Sequence, residues 1–307
     1  MKLLITGSAG LIGSALHKFF QTRFNVCGLD VLKTDTVDYV VDISSVEKLR
    51  IALEEIKPDI IIHAAVIKSL VACEKERQLC WSVNTESTIE IVRFAKESAA
   101  KVIYISSDMV FDGKKGDYSE TDEPHPINWY GTTKHSSEEE LARLENSAIC
   151  RTAFVFWDLT EKDKDVLKKE ILSEVLDNQS LFPYYVFARL MQGKLVRLSD
   201  TTISSPTTTL LLQKGIERII DRSLAGIFHI ASCESTSRYK LGLAIATLVG
   251  ADPSLIIKDE SVVSELRPKD LSLNVGKTYK LLDINPSDLT IEKLLLSLNL
   301  DNNIITI

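Results

Sequence analysis

The sequence predicts an α/β fold, a doubly wound parallel sheet with a smaller mixed α/β region toward the C-terminus. Three observations predict it. Short apolar runs alternate with segments of helical period through the first half of the chain. The runs are apolar on both faces, as strands buried in a parallel sheet must be. A glycine-rich turn follows the first run at once and opens the first helix.

The elements can be justified in order. Leu3-Leu4-Ile5 reads as the first strand, and Ile12, Leu16, Phe19 and Phe20 fall at helical spacing after it. A second strand covers 26–29. A helix over 45–56 is ended by Pro58, which cannot continue one. Ile60-Ile61-Ile62 is the next strand, a long helix is expected over 76–98, and 102–105 form the strand after it. The connections of such a β-α-β series are right-handed crossovers. Beyond Arg151 the pattern loosens. Residues 158–170 are rich in Asp, Glu and Lys and read as a solvated insertion leading into a helix around 166–176. An aromatic run (Phe182-Pro183-Tyr184-Tyr185), helices near 210–220 and 239–249 and a strand over 227–230 complete the chain. The expected division is a dinucleotide-binding domain over 1–157 and a substrate-binding region over 158–307, with some later segments returning to the first domain.

The 307 residues are 45% hydrophobic and 26% charged, the balance of a globular protein with a real core. A net charge of -7 argues against sequence-independent nucleic-acid binding, which needs a basic footprint. Five cysteines, an odd number without CxxC spacing, predict reduced thiols. The five scattered histidines give no metal site. No apolar run reaches the ~20 residues that span a bilayer, so the expectation is a cytoplasmic protein with no membrane partner. A homodimer is the default assembly.

Thr6-Gly7-Ser8-Ala9-Gly10-Leu11-Ile12-Gly13 is a dinucleotide fingerprint in its proper context, with a strand before it and a helix after it. Gly7 permits the tight turn, Gly10 the approach of a pyrophosphate, and Gly13 close packing of helix on sheet. Leu11 and Ile12 present free N–H groups at the positive end of the helix dipole. Asp30, at the end of the second strand, suits an adenine-ribose diol and favours NAD, while nearby Lys33 could offset its charge toward a 2′-phosphate. NADP and NAD therefore both stay open. Asp42 and Ile43 sit where the adenine should lie, or form an ordinary helix N-cap region.

Tyr130 and Lys134 form a YxxxK pair, whose spacing puts phenol and ammonium on one helix face. A neighbouring ammonium is expected to lower the phenol pKa and make Tyr130 a general acid. Ser106-Ser107 ends the preceding strand, where the ligand crevice of such sheets lies.

The glycine fingerprint, YxxxK and upstream serine together resemble the extended short-chain dehydrogenase/reductases with a Rossmann domain. Ser106-Ser107-Asp108-Met109-Val110-Phe111-Asp112-Gly113 is similar to the "STDYVFDG" segment of the dTDP-4-dehydrorhamnose reductase family. Pro58-Asp59, Ala64-Ala65-Val66, Cys73-Glu74 and Val83-Asn84 resemble its "PDVVINAAA…E…VN" stretch, and Ser205-Pro206-Thr207, Gly226-Ile227-Phe228-His229 and Arg267-Pro268 its downstream landmarks. The resemblance implies that Ser107 binds a substrate carbonyl, Tyr130 protonates it and Lys134 holds the nicotinamide ribose. It further implies that Ala64, Ala65 and Val66 line the cofactor path, that Asn84 braces the neighbouring helix, and that Asp108 and Phe154 face the substrate. The implied activity is NAD(P)H-dependent reduction of a keto group on a nucleotide-activated sugar.

Departures from the family pattern fall on the substrate side: Ile67, Lys68 and Val71 replace its Tyr, Thr and Asp, Met109 its Tyr, and Phe154 its Trp. Lys68 in place of a neutral residue could recruit an acidic or phosphorylated group, with a solvated loop lysine the plainer reading. Two other readings remain. One is a sugar-nucleotide epimerase or dehydratase of the same superfamily, although dehydratases follow this Asp with Glu rather than Met109. The other is a non-catalytic subunit resembling the regulatory subunit of methionine adenosyltransferase.

Overall fold

The computed structural model describes residues 1–156, 181–262, 265–298 and 300. The charged insertion, Trp157 and the helix expected over 166–176 lie outside the described residues.

The chain divides into two compact units. The first comprises 1–112, 120–152 and 211–230. It is built on a seven-stranded sheet in which every pairing is parallel. Its strands are β1 (Lys2–Thr6), β2 (Asn25–Asp30), β3 (Tyr39–Val40), β4 (Ile60–His63), β5 (Lys101–Ser107), β6 (Ser147–Thr152) and a last strand Gly226–His229. The order β3-β2-β1-β4-β5-β6 then Gly226–His229 reverses direction between β1 and β4. At such a switch point the loops leaving the carboxyl ends of neighbouring strands diverge and leave a crevice. The registers Leu4↔Ile61 and Ile62↔Ile103 bring the ends of β1, β4 and β5 level.

Helices α1 (Leu11–Phe20) and α2 (Val46–Ile56) follow β1 and β3. Ser45 caps α2 through its hydroxyl, and Lys57 ends it in the left-handed region at φ 49°, directly before Pro58. Leu49, Leu53 and Ile56 of α2 bury one stripe against Leu4, Ile61, Ile91 and Ala95.

The helix expected over 76–98 is in fact three pieces, preceded by a short helix α3 (Leu70–Lys75). They are α4 (Arg77–Trp81), a π-helical turn Ser82–Glu86 and α5 (Ser87–Ser98). The Ser87 N–H reaches back to the Ser82 carbonyl, an i→i+5 bond that accommodates one extra residue. The wide turn carries Asn84, which is 1% exposed and fully engaged in hydrogen bonds.

The second unit comprises 113–119, 153–210 and 231–307. Its core gathers Phe156, the buried face of helix Phe182–Met191, Leu241 and Ile245 of helix Arg238–Val249, and Leu295. The aromatic run is thus the first turn of a helix, with Pro183 in its favoured early position. The strands here are only two or three residues long, among them Ile203–Ser204 held between Thr236–Ser237 and Asp270–Leu271. No helix among the described residues is long and apolar enough to cross a membrane.

Candidate active site

The glycine turn is held by close backbone approach. Gly7 has φ 71°, a left-handed conformation that a side chain would strain, and a Cβ there would lie 2.6 Å from the Ala65 nitrogen. A Cβ on Gly13 would lie 2.1 Å from the Gly7 carbonyl oxygen, so only glycine lets α1 come this near the turn. Gly10 is the N-cap residue of α1, and the N–H groups of Leu11 and Ile12 belong to the first turn, which has no intrahelical acceptors. The Ala64 and Ala65 N–H groups donate to the carbonyl and hydroxyl of Thr6, which lays the segment Ala64-Ala65-Val66 beside the turn.

Asp30 ties this edge together. One carboxylate oxygen accepts the Ala9 N–H at 3.0 Å and the other the Leu32 N–H at 3.0 Å. The Lys33 ammonium donates to the Val37 carbonyl at 2.5 Å. Asp42 accepts from both the N–H and hydroxyl of Ser44, the local arrangement of a helix approach, and this holds its carboxyl below the usual range. Ile43 beside it is buried in the first unit's core.

The YxxxK helix is α6 (Trp129–Leu141). Asn128 caps it by accepting the Gly131 N–H at 2.7 Å, and the Glu74 carboxylate accepts the Trp129 N–H at 2.7 Å. A Cβ on Gly131 would lie 2.1 Å from the Met109 carbonyl oxygen, so the first turn of α6 packs directly on the turn that follows β5. That contact places the Tyr130 phenol in hydrogen-bonding reach of Ser107. Ser106 and Ser107 point to opposite sides of β5, as strand alternation requires. The Ser106 hydroxyl donates to Glu138 at 2.5 Å, while the Ser107 hydroxyl donates to Asp108 at 2.9 Å.

The electrostatics differ from the sequence expectation in one respect. Lys134 is 3% exposed, donates to the Ile105 carbonyl at 2.6 Å and lies 3.9 Å from the centre of the Tyr104 ring. Burial pushes its ammonium down to about 7, with the Glu138 carboxylate acting the other way. The half-buried phenol of Tyr130 is pushed up by burial, with the Ser107 hydrogen bond working the other way and the Asp108 charge adding to the rise. The physical reason is desolvation, which outweighs the hydrogen bond from Ser107. Tyr130 therefore carries its proton at neutral pH, which is the form a general acid needs.

Two supporting residues, Glu138 and Arg151, were not singled out from the sequence. Glu138 and Arg151 form an ion pair at 2.7 Å with exposures of only 4% and 2%. The Arg151 guanidinium also lies over the Phe111 ring at 4.9 Å. A helix-spacing signal existed for Glu138, which lies four residues after Lys134 on the same face. An arginine inside the apolar run Ile149-Cys150-Arg151 was the matching clue. Asn84 bonds both the N–H and carbonyl of Ile67, at 2.8 and 3.2 Å, and the Thr133 hydroxyl at 3.1 Å, so it links the π-turn to α6. The Cys80 thiol lies 2.7 Å from the Cys73 sulfur beneath the same helix; both are free thiols.

Phe154 belongs to the second unit, where it packs edge-on against Phe156 and Phe182 with the Arg238 guanidinium 4.8 Å from its ring centre. Lys68 is exposed in the loop after β4. Among the described residues no cluster of His, Cys, Asp and Glu is placed to hold a metal ion.

A parallel sheet with a glycine turn at its switch point defines a Rossmann-like α/β fold. Residues 1–292 match the RmlD substrate binding domain, and the chain belongs to that family. Among curated relatives, the methionine adenosyltransferase 2 subunit beta of Xenopus laevis is 28% identical over 91% of this chain and 82% of its own length. The probable low-salt glycan biosynthesis reductase Agl14 of Haloferax volcanii is 27% identical over 90% of each. Among solved structures, a hypothetical dTDP-4-dehydrorhamnose reductase from Sulfolobus tokodaii is 29% identical with a TM-score of 0.78, covering 93% of this chain and 96% of that one. A dTDP-4-dehydrorhamnose reductase from Bacillus anthracis in complex with NADP shares the fold at 23% identity and a TM-score of 0.78, covering 97% and 98%. The chain is thus related to nicotinamide-dependent sugar-nucleotide enzymes and to a subunit of a different enzyme.

Proposed function

We propose that the protein is an NAD(P)H-dependent reductase of a keto group on a nucleotide-activated sugar. The observation that carries this reading is the meeting of Ser107, protonated Tyr130 and Lys134 at the carboxyl end of β5, in the same unit as a glycine turn that admits no side chain. The cradle fits a dinucleotide: Gly7 and Gly13 set the tight turn and the close approach of α1, Gly10 would admit the pyrophosphate, and the first N–H groups of α1 would face its charge. Asp30 would accept from the adenine ribose, Asp42 and Ile43 would border the adenine, and Ala64, Ala65 and Val66 would line the path. When bound, the reduced nicotinamide supplies the hydride to the keto carbon.

The chain's own residues do the rest. Tyr130 gives its proton to the carbonyl oxygen as negative charge develops there, and the resulting phenolate is reprotonated from solvent. Ser107 and Asp108 orient that oxygen's surroundings, and Lys134 holds the nicotinamide ribose. Phe154 is assigned to the sugar side. Stabilising charge only as it develops is what accelerates the step.

The test is oxidation of NADPH and NADH by the purified protein against a panel of nucleotide-linked 4-keto sugars. Turnover above the protein-free rate supports the reading and names coenzyme and sugar together. Tight dinucleotide binding without consumption on any sugar overturns it. In that event the similarity to the methionine adenosyltransferase subunit favours a non-catalytic role. Co-purification with a methionine adenosyltransferase catalytic subunit would then be the decisive observation.

A further inference from the structure

We propose that Cys73 and Cys80 are a redox pair, which a hydroperoxide converts into a disulfide joining α3 to α4 beneath the YxxxK helix, with Cys80 as the attacking sulfur. Neither thiol takes part in the proposed reduction, so this chemistry is independent of it.

The backbone builds the pair. In one continuous helix, residues seven apart would be separated by about 10 Å along the axis. Here Glu76 leaves the helical region at φ -120° and ψ 55°, which ends α3 and opens α4. Across that break the Cys73 and Cys80 sulfurs lie 2.7 Å apart. A disulfide holds its sulfurs at about 2.05 Å, so closure asks for sulfur travel of about 0.7 Å.

The surroundings set the two sulfurs apart. The Cys80 thiol donates to Cys73, and the Cys73 thiol donates to the Ile67 carbonyl at 3.3 Å. The Asn84 side-chain nitrogen lies 3.3 Å from the Cys80 sulfur as a donor. When Cys80 loses its proton, Cys73 can turn its hydrogen from Ile67 to the Cys80 sulfur, and the anion then has two donors. That bond from Cys73 shifts the Cys80 thiol down, against burial, and holds the Cys73 thiol up. Cys150, buried in β6, goes the other way from Cys80, pushed up to about 12 by burial. Cys80 is thus placed to attack and Cys73 to resolve.

Burial selects the oxidant. Both thiols are 0% exposed, so a reagent of about the size of water is the one that reaches them as the two short helices open locally. In the first step the Cys80 thiolate attacks hydrogen peroxide. An S–O bond forms, the O–O bond breaks, and the departing hydroxide takes a proton to become water. In the second step the Cys73 sulfur attacks the Cys80 sulfenic acid. The S–S bond forms, the S–O bond breaks, and the oxygen leaves with the Cys73 proton as a second water. The two sulfurs together give up two electrons, and the peroxide takes them. Oxidation removes the hydrogen that the Ile67 carbonyl accepts from Cys73. The new bond also lies beside Glu74, which holds the Trp129 N–H at the start of α6. Redox state therefore reaches both the loop after β4 and the residue before Tyr130.

The experiment exposes the folded full chain to hydrogen peroxide, alkylates the remaining thiols in denaturant, and maps tryptic peptides without reductant. Cleavage after Lys75 and Arg77 separates the two cysteines, so the disulfide appears as peptide 69–75 joined to peptide 78–93. It should form at least roughly ten times faster than Cys233 is oxidised, although Cys233 is exposed, and dithiothreitol should reverse it. Cys73→Ser should stop at a Cys80 sulfenic acid, which dimedone traps on unfolding. Cys80→Ser should give at most about a tenth of that adduct at Cys73. Should either variant not fold, the peptide map of the parent decides alone. A link that forms only in unfolded chain, faster oxidation at Cys233, or equal trapping at the two cysteines would each overturn the assignment.

Discussion

The glycine turn and the YxxxK helix lie in one unit and are built on opposite principles. At the turn the work is done by missing side chains: Gly7 and Gly13 let backbone meet backbone, and the polar groups there are carbonyls, N–H groups and one carboxylate, Asp30. At α6 it is done by ionisable side chains kept away from water, namely Lys134, Glu138 and Arg151. The first kind of site is cheap in stability and tolerates no added volume. The second is costly in stability and depends on every charge having its partner.

The largest effect should come from breaking the buried pair. Arg151→Met leaves the Glu138 carboxylate buried without its cation, and this should cost about 3–5 kcal/mol in denaturant unfolding. Adding Glu138→Gln should recover much of that loss, because the uncompensated charge is then gone. A cost below about 1 kcal/mol for the single variant would show that water reaches the pair. Tyr130→Phe makes the complementary case, an effect on chemistry with little on stability. Reduction should fall by roughly 10²–10⁴-fold while dinucleotide affinity stays close to the parent's, measured by steady-state kinetics and calorimetry. Turnover equal to the parent's would remove Tyr130 from its role.

Gly13→Ala probes the other end. Its methyl would meet the Gly7 carbonyl oxygen at 2.1 Å, and backbone cannot yield as a side chain tip can. The expected cost is about 1–3 kcal/mol, with weakened dinucleotide binding because α1 is pushed from the turn. Unchanged binding would mean that the turn is looser than its geometry.

The contrast also explains what the sequence could and could not reveal. The glycine turn was legible because each of its requirements is local: a strand, three glycines at fixed spacing and a helix. The parallel sheet was legible because β1, β4 and β5 are apolar on both faces. Tyr130, Lys134 and Ser107 were picked out by pattern, but the phenol that spacing expected Lys134 to lower is instead pushed up by burial. Spacing on a helix says that two groups share a face and says nothing of how deeply both are buried. The Glu138–Arg151 pair joins α6 to β6, and Asn84 joins the π-turn to Ile67 and Thr133. Such partners depend on tertiary packing, which periodicity does not encode. The π-turn escaped for a related reason: one extra residue shifts the helical phase, yet Glu76 to Ser98 keeps apolar residues frequent enough to read as a single helix.

The smallest effect, and the one that tests the contrast most finely, is a slope. Lys134 has a folded pKa of about 7 against an ordinary value of 10.5. Between those two values the unfolded chain binds a proton at this lysine that the folded chain does not. Stability must therefore rise with pH across that window, by on the order of 1 kcal/mol per pH unit from this group, and the contribution flattens below about pH 7, where both states are protonated. Lys134→Met removes the slope and, at neutral pH, should stabilise the protein while abolishing turnover. Unfolding free energies of parent and variant at several pH values between about 7 and 9.5 measure the difference directly. Parallel curves would mean that Lys134 keeps its charge in the fold, and α6 would then be no more strained than the glycine turn. Converging curves, with the variant ahead at neutral pH, would locate the stability cost of the active site in the desolvated lysine.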